Sequence, residues 1–216
     1  MRPWREIWVT RWVERRVEAL LPEVVRRVLE GAEPQPERVS RRWATVVSAD
    51  IDTDAGVGAV WIVWWPGSAW ARECIEHLEW YRGQWRNTGG SGGSVDDDPA
   101  AVGAVDVLEV SDGGGVRSAA FRDSPPRSLA EIPWVGCSVV RVGPDVAQLL
   151  VGDRRIEVPE RRALVVAWAA PPDCHPVRPV VVALGRDGAE LSRMGPHDVL
   201  DTYTWARLRD ELRDET

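Results

Sequence analysis

Lysine is missing from this chain: all 27 of its Lys/Arg residues are arginine. That absence excludes whole classes of chemistry. A P-loop needs a lysine ammonium at the β/γ-phosphates, a protein kinase needs one on its third strand, and a pyridoxal-phosphate enzyme needs one for its Schiff base. Asparagine and phenylalanine occur once each, at Asn87 and Phe121, against 13 tryptophans. Arg and Trp have G-rich codons, so this bias fits a gene of high G+C content, and the tryptophan count alone carries no function.

Cysteine is also scarce. Cys74, Cys137 and Cys174 make an odd number, which provides no paired disulfide framework and suits a reducing compartment. No run approaches the ~18 apolar residues of a membrane span; the longest candidate, "VGAVWIVWW", stops at Pro66. Charges at Arg2, Arg5, Glu6 and Arg11 leave no signal-peptide core, so a cytoplasmic location is expected.

What is present is enough for a folded chain. The 216 residues are 44% hydrophobic and 28% charged, long enough to bury a sizeable core. The net charge of −7 is uneven: residues 1–42 hold ten Arg and seven Glu, or +3, which leaves −10 for the rest. An acidic body repels nucleic acid, which is not expected as a partner.

Residues 4–29 have helical periodicity, with Val9, Val13, Val17, Leu20, Val24 and Val28 recurring every three or four positions. Pro22 either kinks this helix or opens a second one. "RWATVVSADI" and "GVGAVWIVWW" read as a hairpin around "DTDAG", the second strand apolar enough to need cover on both faces. That hairpin is expected to join the later sheet or to be covered by a partner. Trp70, Cys74, Leu78, Tyr81 and Trp85 form one stripe at helical spacing, predicting a central helix over 68–85 with Ser68 as N-cap. "NTGGSGGSVDDDPA" reads as a flexible acidic loop. Beyond it, short apolar runs separated by turn signals predict antiparallel strands, and 196–212 predicts a closing helix with Pro196 in its first turn.

The expected fold is therefore α+β. It consists of mainly antiparallel, sandwich-like sheet, an N-terminal helical arm (1–32), a hairpin plus helix (33–86), a loop (87–100), and a β region with a C-terminal helix (101–216), expected to form one domain together.

Candidate sites are few. "GGSGG" at 89–93 matches G-x-S-x-G but lacks the strand and helix a nucleophile elbow requires. Asp50, Asp52 and Asp54 have calcium-loop spacing, yet Ala55 and Trp61 stand where the glycine and glutamate should be. Cys74 and His77 are three residues apart and Cys174 adjoins His175, while Cys137 and His197 stand alone; a structural zinc site shows two regular ligand pairs. No metal and no cofactor is expected.

The most distinctive segment is the opening "MRPWREIWVTRW". Trp4, Trp8 and Trp12 drift only about 80° in total on a helix and share one face, with Arg5 and Arg11 interspersed. This end either packs on the protein's own sheet, near Trp61, Trp64 and Trp65, or has more indole than one sheet covers and anchors a partner, as Trp and Arg do at interface hot spots. Packing on its own sheet weighs more; a membrane interface weighs least, because Glu6, Glu14 and Glu18 are interspersed. The functional expectation is a non-catalytic interaction or regulatory protein, or an assembly subunit, that meets a protein partner or another copy of itself through Trp4, Trp8, Trp12, Arg5 and Arg11. The alternative is a cysteine-dependent hydrolase or transferase using Cys137 or Cys174 with His175 or His197.

Overall fold

The computed structural model describes residues 3–94, 105–119, 128–172 and 177–214; the side chains of residues 1–12, Glu14, Asp112, Gly113, Leu129 and Asp214 are also outside the described set. The chain begins with one helix, α1 (Pro3–Leu29), that runs through Pro22 without a break. Four strands follow as an antiparallel meander: β1 (Ala44–Asp52), β2 (Val57–Trp64), β3 (Arg72–Tyr81) and β4 (Gln84–Ser94). A second sheet has the order β5–β6–β9, from Leu108–Arg117, Trp134–Val142 and Ala163–Ala170. A third has the order β11–β10–β7–β8, from Glu190–Met194, Val181–Leu184, Gln148–Val151 and Arg154–Glu157. Helix α2 (Thr202–Asp214) closes the chain.

Mostly antiparallel sheet with two helices agrees with the α+β expectation, but the central helix is not there. Residues 72–81 and 84–94 are strands paired in register as a hairpin. The helical spacing misled because β3 is covered on both sides, so the polar alternation of a surface strand is lost. Cys74 and Leu78 face α1, whereas Ile75 faces the second sheet. Most of the expected glycine loop is also strand, since β4 includes Gly89–Ser94. Glycine suits this strand sterically: a Cβ on Gly90 or Gly92 would come within 2.6 Å of a β3 carbonyl oxygen.

Other elements shift too. The segments flanking "SDGGG" are one strand, β5, bulged between Asp112 and Gly114, not two. The first hairpin stays in its own sheet and does not join a later one. Helix α2 starts at Thr202, beyond Pro196, because the Asp201 carboxylate caps the Thr204 N–H at 3.1 Å.

Three core clusters give the layering. Val17, Leu20, Leu21, Val24 and Val25 of α1 meet Val46, Val60, Ile62 and Trp64 of the first sheet. On that sheet's other face Val47, Trp61, Val63 and Ile75 share a cluster with Val135, Cys137, Val165 and Ala167 of the second. Val140, Leu164 and Val166 on the second sheet's far face pack with Leu149, Val151, Val181 and Met194 of the third. Every residue of β2 is buried, which accounts for its unbroken apolar run. Burying the five α1 residues contributes on the order of 7–15 kcal/mol before entropy losses.

Side chains dress two strand edges. The Gln35 amide donates to the Ala44 carbonyl at 3.3 Å and accepts from the Val46 N–H at 2.8 Å, standing in for a neighbouring strand along β1. On β9, the Val165 N–H donates to Ser48 Oγ at 3.2 Å and the Ala167 N–H to Asp50 at 2.8 Å. These bonds satisfy buried donors that have no ladder partner and tie the first sheet to the second.

Candidate functional site

The functional question turns on how α1 sits. Its buried residues Val17, Leu20, Leu21 and Val24 fall within about 60° of one direction around the helix, the one facing the sheet. Arg15, Arg16, Glu18, Ala19, Pro22, Arg26 and Leu29 are exposed around the rest. The described core contacts of α1 begin at Val13, half-buried in a groove beside Trp64, Arg72 and Glu73. The helix therefore meets the sheet at its β2–β3 end, and residues 3–12 continue the helix upstream of that contact.

The side chains of Trp4, Trp8, Trp12, Arg5 and Arg11 lie outside the described residues. Their positions along the helix are nonetheless set by its phase. Counting from Val17 at 100° per residue, positions 4, 8 and 12 come round at about 140°, 180° and 220°, opposite the buried stripe. Positions 6 and 10, Glu6 and Thr10, fall in the sheet-facing phase. The same count puts positions 9 and 13 at about −80° and −40°, so the valine stripe stays on the sheet-facing half and the tryptophan positions form a second stripe. Arg5, Arg11 and Arg15 flank the tryptophan positions, and Glu6 and Glu14 fall on the other half of the helix.

Two tryptophans are exposed near that end: Trp43 at 57% and Trp70 at 68%. Trp43 shares a groove of about 600 Å³ with Arg16, Leu20 and Trp64 of the α1–sheet contact. Further along, a groove of about 700 Å³ runs between the C-terminal half of α1 and β4, floored by Leu21, Val25, Leu78 and Trp85. Trp61 and Trp64 are buried in the core, with their indole N–H groups donating to Glu73 at 3.2 Å and to Cys74 Sγ at 3.3 Å.

The thiols occupy the interior. Cys74 is buried against Trp64, and burial with the nearby Glu76 charge pushes its thiol far above the ordinary range, so it is inert as a nucleophile. Because β3 is a strand, Cys74 and His77 are an odd number of residues apart and face opposite sides, which dissolves the pair suggested by helical spacing. His77 instead reaches Cys137, with Nε2 3.3 Å from Sγ, both residues buried between the first two sheets. Gly114 stands opposite Cys137 on β5 with φ at +103°, a backbone conformation that favours glycine, and a Cβ there would be in ordinary contact with the imidazole at 3.8 Å. Two residues on, Glu79 accepts from the Ala119 N–H at 2.9 Å and from the Ser118 hydroxyl.

Sequence reasoning missed the Cys137–His77 contact. The available signal was alternation: in a strand, Glu73, Ile75, His77 and Glu79 share the inward face. Cys137 is 0% exposed, so its thiol is enclosed. His197 is exposed on the loop before α2, and Cys174 and His175 lie outside the described residues. No group of three or more metal-ligating side chains is found among the described residues.

The aspartates of the first hairpin have structural work. Asp52 Oδ1 accepts from the Asp54 and Ala55 N–H groups at 3.1 and 3.0 Å, closing the turn. Arg154 of β8 donates to both oxygens of Asp50, at 2.7 and 2.6 Å, and meets Asp52 at 2.9 Å. Burial raises the Asp50 carboxyl above its ordinary range, with Arg154 pulling it back. At Asp52 burial also pushes upward, but the turn N–H groups and Arg154 outweigh it and hold that carboxyl below its ordinary range.

Comparison with family models, curated proteins and solved structures finds no match. No described helix is long and apolar enough to cross a membrane.

Proposed function

We propose that this is a non-catalytic protein-interaction module, regulatory or part of an assembly, that docks through the tryptophan- and arginine-bearing face of α1. The first two sheets, read as a sandwich, are the platform from which that helix extends. The observation that carries the reading is the phase of α1: its buried stripe runs through Val17, Leu20, Leu21 and Val24, and positions 4, 8 and 12 belong to the other side. An indole stripe out of phase with the core contributes nothing to that core and is suited to a partner, in the mode of an amphipathic helix laid into a groove. The cysteine-hydrolase alternative has less support, because the Cys137 thiol beside His77 is enclosed.

The test compares the intact protein with a W4A/W8A/W12A variant. The variant should lose partner capture and keep its thermal midpoint, since none of the three positions lies in the buried phase. A large fall in the midpoint of the monomeric variant would put the indoles in the protein's own core and remove the proposal. Deleting residues 1–30 would be the wrong cut, because it also strips Val17–Val25 from the first sheet.

A further inference from the structure

We infer that the groove beside Trp43 is a binding site for a small aromatic carboxylate, independently of the docking reading above. The groove holds about 600 Å³ and lies between Arg16 and Leu20 of α1, the Arg38–Trp43 segment, and Trp64 of the first sheet. That volume falls within the ~300–1,000 Å³ of small-molecule sites. Charge sets it apart. Three other grooves on the molecule each carry at least two carboxylates, among them Glu18 and Glu30, Glu157 and Glu160, and Glu73 and Glu76. The groove beside Trp43 is lined by two arginines and, among the described residues, by no acid, on a chain of net charge −7.

The lining specifies the ligand's two parts. Arg16 and Arg38 are exposed guanidinium groups, whose paired N–H donors match the two oxygens of a carboxylate. Arg38 also meets Glu23 of α1, so it already shares its charge, and one ligand carboxylate suits the pair. Trp43 is 57% exposed, and Leu20, Val39 and Trp64 add apolar lining beside it. An accessible indole next to apolar lining favours a flat ring, through stacking, over a bare anion or a flexible chain.

The wall that carries Trp43 is held in place before any ligand arrives. The Gln35 amide donates to the Val39 carbonyl at 3.0 Å and to the Ala44 carbonyl at 3.3 Å. The Trp43 N–H donates to the Ser40 carbonyl at 2.8 Å, and the Trp65 N–H donates to the Trp43 carbonyl at 2.9 Å. Trp65 makes that bond from a φ of 48°, a left-handed backbone that bulky residues rarely adopt and that clusters at ligand sites. A wall already ordered loses little entropy on binding.

Ligand-observed NMR titration of the intact chain with 2-naphthoate tests this. A dissociation constant below about 1 mM is expected. The uncharged 2-naphthamide should bind about fivefold or more weaker, having lost the charged hydrogen bonds. Octanoate and acetate, which lack the ring, should bind about fivefold or more weaker as well. R16Q should weaken naphthoate by about five- to tenfold and bring naphthoate and naphthamide closer together. W43A should weaken it by a similar factor and W43F should restore most of the loss, whereas R186Q, at an exposed position on a distant turn, should change nothing. Circular dichroism confirms that each variant is folded, and R16Q carries the test if W43A is not. No binding up to about 1 mM, equal binding of naphthamide, or affinity unchanged in both R16Q and W43A overturns the inference. Acetate or octanoate binding as tightly as naphthoate reduces the groove to an adventitious anion site and overturns it too.

Discussion

Replacing Arg154 by Met isolates the clamp between the first and third sheets. Met keeps much of the side-chain volume and removes the charge. Arg154 now holds Asp50 by both oxygens, and the two side chains are 26% and 12% exposed. Removing one partner of a fully buried pair costs about 3–5 kcal/mol; the partial exposure of this one reduces the expectation to about 2–4 kcal/mol at pH 7. For a chain of this length that is a drop of about 5–15 °C in the thermal midpoint. The pH dependence has a definite sign. Burial already holds the Asp50 carboxyl above its ordinary 3.8 in the folded state. The folded state therefore binds the extra proton, and stability falls as pH rises from about that value through the folded pKa. Without Arg154 the folded pKa moves higher, so the deficit of R154M should be small near pH 4 and grow toward pH 7. Urea unfolding of both proteins across that range is the assay. A deficit that is flat with pH, or that is largest at acid pH, would refute the claim that the variant leaves an unpaired buried carboxylate.

Two further outcomes follow from the same geometry. G92A should destabilise by about 1–3 kcal/mol, because its Cβ meets the Glu73 carbonyl at 2.6 Å, whereas G93A, with nothing within 4 Å, should not; equal effects in urea unfolding would contradict the β3–β4 register. Cys74 and Cys137 in the native protein should alkylate far more slowly than after unfolding, read by peptide mapping that also separates Cys174; fast labelling of Cys137 at neutral pH would revive the enzyme alternative.

Much of the fold was legible in short patterns. The unbroken apolar run of β2 announced cover on both faces, and the turn-punctuated runs after residue 130 became β6 to β11 much as expected. The β3–β4 region was not legible, for a reason that lies in tertiary structure. With α1 on one face and the second sheet on the other, Cys74 and Leu78 are buried on one side, and Ile75, His77 and Glu79 on the other. Such a strand shows no alternation of polarity, and its Cys74, Leu78 and Tyr81 happened to line up with Trp70 and Trp85 at helical spacing. The polar row hidden in it, His77 against Cys137 and Glu79 against Ser118, joins residues 60 and 39 positions apart, beyond the reach of any local pattern. The tryptophan face of α1 could be grouped from sequence, but its phase relative to the core needed the burial of Val17–Val25.

Hydroxyl-radical footprinting with residue-level mass spectrometry puts that phase to the test directly. Trp4, Trp8 and Trp12 should be modified at rates like those of exposed Trp43 and Trp70. Modification as slow as that of Trp61, which is 1% exposed, would place the three indoles inside the monomer and contradict the account.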